Sequence, residues 1–291
     1  MPDAGPVLQT IGLTKVYTDF WGRPRVKALS ELTLEVRPGE VFGLLGPNGS
    51  GKTTTIKLLL GLIRPTKGDA FVFGRDPSDQ AVKRRLGYLP EETYLYRFLD
   101  AEETLRFFGN LFAVPRAVLE RRIGELIELV GLQHARKRRL GEYSKGMARR
   151  LGLATALIND PDLVVLDEPT SGLDPLGSAE VKDLIVELKR KGKTILLCSH
   201  LLADVEDVCD RLAILSQGQL REMGRVDELL TTSERTTVEL DRPDAATLAA
   251  VQAAAGAALV GVAHPRERLE AHFRRIIAQT QDRSAGPGAA P

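Results

Sequence analysis

The chain has 291 residues, 43% of them hydrophobic and 27% charged, which is ordinary for a globular protein of roughly one to three domains. Its 40 lysines and arginines nearly balance 39 aspartates and glutamates, which argues against a strongly basic nucleic-acid-binding protein and against an acidic tail. Two cysteines cannot form a disulfide framework in a chain of this length. We therefore expect a folded, soluble, cytoplasmic protein with a sizeable core.

Alternating apolar and polar residues at 7–16 and 28–36 predict two β strands, joined by a turn-like insertion at 18–27. The continuous apolar run at 41–45 is typical of a strand buried in a parallel sheet. A glycine-rich loop and a helix predicted at 53–62 follow it. This succession of strand, loop and helix is the beginning of an α/β core.

Helical periodicity continues through a segment at about 100–142, where Pro115 separates two predicted helices. Short apolar runs at 163–166 and 194–198 predict two further buried strands, each flanked by predicted helices. Alternation of strands and helices predicts a parallel sheet. The helix-only segment at about 100–142 therefore interrupts the α/β core as a subdomain.

One uncharged stretch, between Asp244 and His264, has about the length of a membrane span. It consists mostly of alanine with glycine and polar residues, and such a segment would insert poorly into a bilayer. We predict instead an Ala-rich helix at about 245–255 and a short strand at about 259–262. With a strand at 236–240 and a helix at 266–279, these would form a small C-terminal α+β domain.

The loop after the apolar run at 41–45 matches the phosphate-binding pattern G-x-x-x-x-G-K-[ST] and opens a helix. Its backbone N–H groups and the helix N-terminus favour bound phosphate. Lys52 should reach the terminal phosphates of a nucleotide, and Thr53 should offer its hydroxyl to Mg²⁺. The predicted nucleotide-binding residues are Gly46, Pro47, Asn48, Gly49, Ser50, Gly51, Lys52, Thr53 and Thr54.

A second motif places two carboxylates after the apolar run at 163–166, at the end of a predicted strand. Open α/β sheets bind ligands at the carboxyl ends of their strands. Asp167 suits a water-mediated contact with Mg²⁺, and Glu168 is placed to orient or deprotonate an attacking water. The alternative is that these two carboxylates only mark an ordinary strand end. The presence of the phosphate loop in the same chain makes this alternative the weaker interpretation.

A third motif, Tyr143-Ser144-Lys145-Gly146-Met147, opens another predicted helix. Ser144 is a candidate N-cap, and capping alone would explain it. The functional interpretation is that the Ser144 hydroxyl and the free N–H groups of the helix bind a γ-phosphate.

Over about residues 7–230 these motifs, in this order, resemble the ATP-binding subunits of ABC transporters. The third motif resembles the family signature, His200 the switch histidine, and Tyr17 the aromatic residue that stacks on adenine. Phe20 and Trp21 are alternatives to Tyr17. Two further segments resemble the Q-loop and the D-loop of the family, respectively Gly87-Tyr88-Leu89-Pro90-Glu91 and Ser171-Gly172-Leu173-Asp174.

The resemblance implies a P-loop NTPase fold with a mostly parallel sheet, an antiparallel β subdomain and the inserted helical subdomain. The cassette would occupy residues 7–230. The small C-terminal α+β domain would span 231–280, and a disordered tail would follow at 281–291.

The resemblance also implies roles for individual residues. Lys52, Glu168 and His200 would be catalytic. Glu91 stands where the family has a glutamine, with Glu92 as the alternative alignment. Mg²⁺ would be held by Thr53, Glu91 and Asp167, and the nucleotide bound by Tyr17, the phosphate loop, Ser144, Gly146 and Asp174.

The implied function is ATP hydrolysis with Mg²⁺ by a head-to-tail homodimer that drives export through separate transmembrane permease subunits. The protein would lie at the cytoplasmic face of the cell membrane, and no nucleic-acid partner is expected. The altered signature and Q-loop resemble the ABC-2-type exporter branch. The alternatives are a non-transport ABC ATPase of the translation or DNA-repair type and a catalytically inactive interaction module.

Overall fold

A computed structural model of the chain describes residues 5–21, 23–230, 240 and 244–256. The chain divides into two compact units between Leu229 and Leu230. The first unit contains the motifs singled out above. Along the described residues the strands are β1 (Leu8–Thr18), β2 (Pro24–Val36), β3 (Val41–Leu45), β4 (Lys67–Val72), β5 (Leu86–Leu89), β6 (Leu163–Asp167), β7 (Thr194–Ser199), β8 (Arg211–Ser216) and β9 (Gln219–Arg225).

Helices cover both faces of the sheet region and form the segment between β5 and β6. The described helices are α1 (Lys52–Leu59), α2 (Gln80–Lys83), α3 (Ala101–Leu111), α4 (Arg116–Leu129), α5 (Lys145–Ala156), α6 (Pro175–Arg190), α7 (Leu202–Val208), α8 (Val226–Leu230) and α9 (Ala245–Ala255), with short 3₁₀ turns at Gln133–Ala135 and Leu140–Glu142.

The larger sheet positions the candidate site. Its described strands lie in the order β5-β6-β7-β3-β8-β9, and all neighbours are parallel except β8 and β9. Every residue of β3, β6 and β7 is buried, because α1 and the strands β1 and β2 pack on one face of the sheet and α3 to α6 pack on the other. Cys198 of β7 pairs with Leu44 on one side and with Asp167 on the other. The carboxyl ends of the three central strands therefore meet at one edge.

The second sheet is antiparallel and has the described order β2-β1-β4. The turn predicted at 18–27 is shorter than expected, because β1 continues to Thr18 and β2 begins at Pro24. The Asp19 carboxylate accepts hydrogen bonds from the backbone N–H groups of Trp21 and Arg23, which stabilises this tight connection. The predicted antiparallel subdomain is thus present with longer strands.

The predicted helical subdomain contains α3 and α4, separated at Pro115 as expected. A capping box begins α3, because Asp100 accepts from the N–H of Glu103 and Glu103 accepts from the N–H of Asp100. Apolar side chains of both helices and of α5 pack in one buried cluster with β6 and β7. The subdomain and the sheet therefore share a core on this side.

In the second unit the Ala-rich helix predicted at 245–255 is present as α9, and Asp244 caps it by accepting from the N–H of Thr247. The strand predicted at 259–262, the helix at 266–279, most of the strand at 236–240 and the tail at 281–291 lie outside the described residues. No described helix is long and apolar enough to cross a bilayer.

Candidate functional site

The phosphate loop connects β3 to α1 and is held in a conformation that requires glycine. Gly51 has φ +107, in the left-handed region, and a Cβ there would lie 2.7 Å from the Ala28 carbonyl oxygen. A Cβ on Gly46 would lie 2.3 Å from the Leu215 carbonyl oxygen. The Ser50 hydroxyl is buried without a protein hydrogen-bond partner among the described residues. A phosphate oxygen would satisfy this donor.

Lys52 connects the phosphate loop to the second motif. Its Nζ donates to the Gly46 carbonyl oxygen at 2.6 Å and lies 3.6 Å from Oε1 of Glu168. Both side chains of this ion pair are buried, so water screens their attraction little. The geometry places one cation between the loop and the carboxylate.

Glu168 has a strained backbone conformation, and its side chain points towards Lys52. Its φ is +48, which a non-glycine residue adopts only when its surroundings enforce it. Its N–H donates to the Cys198 carbonyl oxygen at 2.9 Å. His200 Nδ1 lies 2.8 Å from Oε2 of Glu168, and because a carboxylate only accepts, we assign the imidazole proton to Nδ1. Glu168 therefore lies between Lys52 and His200.

Asp167 ends β6 and is almost fully buried. Burial first, and then the neighbouring charges of Glu168 and Glu91, raise the pKa of its carboxyl to about 6 against the opposing effects of Lys52 and Arg149. A carboxylate destabilised in this way gains from a nearby cation.

The donor set suits Mg²⁺, which prefers oxygen ligands and keeps few protein ones, with phosphates and water completing its coordination. Thr53 and Glu91 line one cavity and supply a hydroxyl and a carboxylate, and Asp167 supplies a second carboxylate. No cluster of three or more His, Cys, Asp or Glu side chains in the described ranges forms a metal site by itself.

A cavity of about 510 Å³ gathers most of the predicted residues. Tyr17 lies in its wall, whereas Phe20 and Trp21 are 96% and 76% exposed and do not line it. Glu91 also lies in the wall, whereas Glu92 accepts a hydrogen bond from the Tyr94 hydroxyl at the surface. The lining comprises Tyr17, Val26, Lys27, Ala28, Pro47, Asn48, Gly49, Ser50, Gly51, Lys52, Thr53, Thr54, Glu91, Glu168, His200 and Gln217.

Four predicted nucleotide-binding residues do not line this cavity: Gly46, Ser144, Gly146 and Asp174. Ser144 caps α5 by accepting from the N–H of Met147 at 3.2 Å. Asp174 caps α6 by accepting from the N–H of Gly177 at 2.9 Å. The capping role predicted for Ser144 is therefore present, and Asp174 has the same role in α6.

The sequence did not single out two residues that the structure places at the site. Gln217 lies in the turn between β8 and β9, where the next residue, Gly218, donates its N–H to the Ser50 carbonyl. Arg149 of α5 is buried against the ends of β5 and β6. A basic pair in a helix normally predicts a solvent-facing surface, so the sequence carried no signal for Arg149.

Comparison with known proteins defines the family. A family model described as ABC transporter matches residues 29–171. An uncharacterised ABC transporter ATP-binding protein of Nostoc sp. is 52% identical over 77% of this chain and 68% of its own length. The chain therefore belongs to the ATP-binding proteins of ABC transporters, and it is an ATP-binding and ATP-hydrolysing protein of that family.

Two further similarities bear on the branch and the fold. A bacitracin transport ATP-binding protein of Bacillus licheniformis is 39% identical over 77% of this chain and 71% of its own length. The solved ATP-binding subunit of an ABC transporter is 33% identical, with a TM-score of 0.68 over 77% of this chain and 91% of that one. The expected ABC ATPase fold and the resemblance to the exporter branch are confirmed.

Proposed function

We propose that this protein is the ATPase subunit of an exporter, works as a head-to-tail homodimer at the cytoplasmic face of the membrane, and drives separate transmembrane permease subunits. The observation that supports the dimer is the separation of the site into two parts. The phosphate loop, Glu168 and His200 surround one cavity, whereas Ser144 and Gly146 lie outside it. A second copy, turned head to tail, would supply the missing N-terminus of α5 to each nucleotide.

In this proposal ATP lies in the cavity, with its adenine against Tyr17 and its phosphates on the loop. Thr53, Asp167 and Glu91 would hold Mg²⁺, which when bound would neutralise charge on the phosphate oxygens. Lys52 exchanges its contact with the Gly46 carbonyl for the terminal phosphates. These residues bind and orient the nucleotide before any bond breaks.

Glu168 then acts as the general base. Its carboxylate accepts the proton of a water aligned with the γ-phosphorus, while the water oxygen forms the new bond and the bond to the leaving ADP oxygen breaks. The hydrogen bond from His200 to Oε2 keeps the carboxylate oriented. The products are ADP and inorganic phosphate.

Export is supported by relatives. A fluoroquinolones export ATP-binding protein of Mycobacterium tuberculosis is 40% identical over 81% of this chain. The bacitracin transport relative points to the same branch. Both names concern those proteins, and we carry over the class of process without its substrates.

An exposed aromatic cluster offers a surface for the permease. Tyr96 contacts Phe98 and Phe107 with ring centroids 5.7 and 5.6 Å apart, and all three side chains are exposed. The cluster follows the loop of Glu91 in the sequence and joins it to α3 of the helical subdomain. An apolar permease segment bound there would contact the stretch of chain that joins the Glu91 loop to the helical subdomain.

The experiment that tests this function is co-purification and transport. We expect the protein to co-purify with a permease encoded beside it, and the permease to stimulate ATPase activity in membranes. Phe98→Glu should abolish both effects while leaving the basal ATPase activity of the isolated protein intact. The opposite outcome is that the substrate accumulates only in vesicles in which the direction of transport corresponds to import. That result would contradict export.

A further inference from the structure

A second buried cation lies beneath the site. Arg149 of α5 is only 6% exposed, and its guanidinium reaches three successive carbonyl oxygens at the end of β6. Its Nη2 donates to the carbonyls of Asp167 at 2.6 Å and Glu168 at 2.7 Å, and its Nε donates to the carbonyl of Pro169 at 2.9 Å. One side chain thus fixes the backbone that carries both catalytic carboxylates.

The same guanidinium also holds the loop of Glu91. Its Nη1 donates to the carbonyl of Glu91 at 2.8 Å, to the hydroxyl of Thr93 at 3.0 Å and to the carbonyl of Pro90. These contacts span about 58 residues of sequence between the loop and α5. Arg149 is therefore the point at which the Glu91 loop, the end of β6 and α5 are joined.

The arrangement stabilises a charge that burial alone would disfavour. Burial lowers the pKa of Arg149 to about 10, while the charges of Asp167, Glu91 and Glu168 oppose that shift. The group therefore stays protonated at neutral pH. A buried charge is tolerated only when it is fully hydrogen-bonded, and six acceptors meet this condition here. Removing the guanidinium would leave these carbonyls without its hydrogen bonds.

We propose that Arg149 is a positioning residue that sets the places of Asp167, Glu168 and Glu91 relative to one another and links them to the helix capped by Ser144. The proposal rests on the catalytic roles given above and adds how those residues are held. Glu168 carries the strained φ of +48, and Arg149 binds the carbonyl of that strained residue. A phosphate bound at the N-terminus of α5 would act on the site through one rigid helix.

The competing interpretation is that Arg149 only stabilises the fold. Its neighbour Arg150 provides the matched control, because it lies on the same helix and is also mostly buried. Arg150 donates to the Val130 carbonyl at 3.1 Å and pairs with Glu180 at 3.5 Å, and among the described residues neither of these partners belongs to the site. Loss of Arg150 should lower stability without disturbing the carboxylates.

The test compares purified Arg149→Ala and Arg150→Ala with the wild type in Mg·ATP hydrolysis, nucleotide binding and thermal unfolding. Misplacing catalytic groups by about 1 Å costs on the order of 100-fold in rate, so we expect kcat of Arg149→Ala to fall about that much. Its Kd for ATP should change only a few-fold, since the phosphate loop is untouched. Arg150→Ala should keep kcat within about threefold of the wild type.

Methylguanidinium gives a second readout, because it can occupy the space left by the Arg149 side chain and donate to the same carbonyls. At millimolar concentration it should raise kcat of Arg149→Ala and leave Arg150→Ala unchanged, whereas neutral urea should rescue neither. A rescued kcat separates positioning from a purely structural role, since a lost fold is not restored by a small cation.

Three results would overturn the proposal. The first is a folded Arg149→Ala with kcat within about threefold of the wild type. The second is a loss of kcat that Arg150→Ala shares equally, with no rescue by methylguanidinium. If Arg149→Ala does not fold, Arg149→Lys decides, since one ammonium cannot reach both sets of carbonyls. Wild-type kcat in Arg149→Lys is the third. Full activity in Glu168→Gln would instead refute the catalytic assignment and not the contacts of Arg149.

Discussion

Glu168 lies between Lys52 and His200, and this arrangement makes it the candidate general base. Glu168→Gln keeps the shape of the side chain but cannot accept a proton. Loss of a general base costs roughly 10²–10⁴-fold, so we expect ATPase activity to fall in that range. Tight binding of ATP, measured by fluorescence of a labelled nucleotide, should persist because the phosphate loop is intact. Wild-type turnover in this variant would remove Glu168 from the mechanism.

Asp167 should make stability depend on pH. Its pKa is raised from 3.8 to about 6 in the folded protein, so the native state binds more protons than the unfolded state between those values. The free energy of unfolding should therefore fall as pH rises from about 4 to about 6, by up to roughly 3 kcal/mol from this group at about 1.4 kcal/mol per unit.

Asp167→Asn isolates this effect, because the amide stays neutral at every pH. Without nucleotide and Mg²⁺, the variant should melt at a higher temperature than the wild type at pH 7.5, and the difference should shrink towards pH 4. A difference in Tm that does not vary with pH would show that the Asp167 carboxyl is not perturbed in this way.

Glu91 and Glu92 form a matched pair for testing the metal. Glu91 lines the cavity, whereas Glu92 bonds to Tyr94 at the surface. A carboxylate attracts Mg²⁺ more strongly than an amide oxygen does. Glu91→Gln should thus require more Mg²⁺ for half-maximal hydrolysis and for Mg²⁺-dependent nucleotide binding, while Glu92→Gln should match the wild type. A shift seen only in Glu92→Gln would transfer the role to that residue.

At the scale of elements, the N-terminus of α5 has two roles. Ser144 caps the helix, and it is also proposed to contact a phosphate; one substitution can separate these roles. Aspartate is as good an N-cap as serine and is favoured at a helix N-terminus. Ser144→Asp should therefore keep the thermal stability of the wild type. Its negative charge would repel a γ-phosphate, so hydrolysis should fall strongly. Unchanged ATPase activity in Ser144→Asp would leave Ser144 with capping alone.

The elements that the sequence predicted best are those with the simplest physical signals. The strands β3, β6 and β7 are buried on both faces, so their sequences are continuous apolar runs. The strands β4 and β9 were not predicted because most of their residues are exposed or half-buried, and glycines interrupt them. Their place depends on pairing with β1 and β8, which a local pattern does not encode.

The same contrast applies to the site. The phosphate loop, Asp167 and Glu168 were predicted from motifs that directly follow apolar runs, and His200 from the resemblance to the family. Arg149 was not, since its six acceptors come from segments far apart in the chain. Every residue has a backbone carbonyl, so the amino-acid sequence does not show which carbonyls accept hydrogen bonds from an arginine. A basic residue buried by such contacts looks like a surface residue until the fold is known.

At the scale of the whole molecule, the proposed ATP site has two parts, the cavity around Lys52 and the N-terminus of α5, and Ser144 and Gly146 of α5 do not line the cavity of their own copy. One copy contributes the cavity around Lys52, and the other would contribute the N-terminus of α5. Because Glu168→Gln should bind ATP without hydrolysing it, this variant should accumulate as a dimer with Mg·ATP. Light scattering after gel filtration should give twice the 31.8 kDa mass of one chain. With ADP the same variant should be monomeric.

The shared site is tested most directly by mixing two inactive variants. Lys52→Ala disables the phosphate loop of its own copy, and Ser144→Asp disables the helix offered to the other copy. A mixed dimer has one site in which both parts are intact, so we predict that the equimolar mixture regains ATPase activity that neither variant has alone, up to about a quarter of the wild-type value if pairing is random. A mixture that stays inactive although mixed dimers are detected by tag capture would contradict the head-to-tail arrangement.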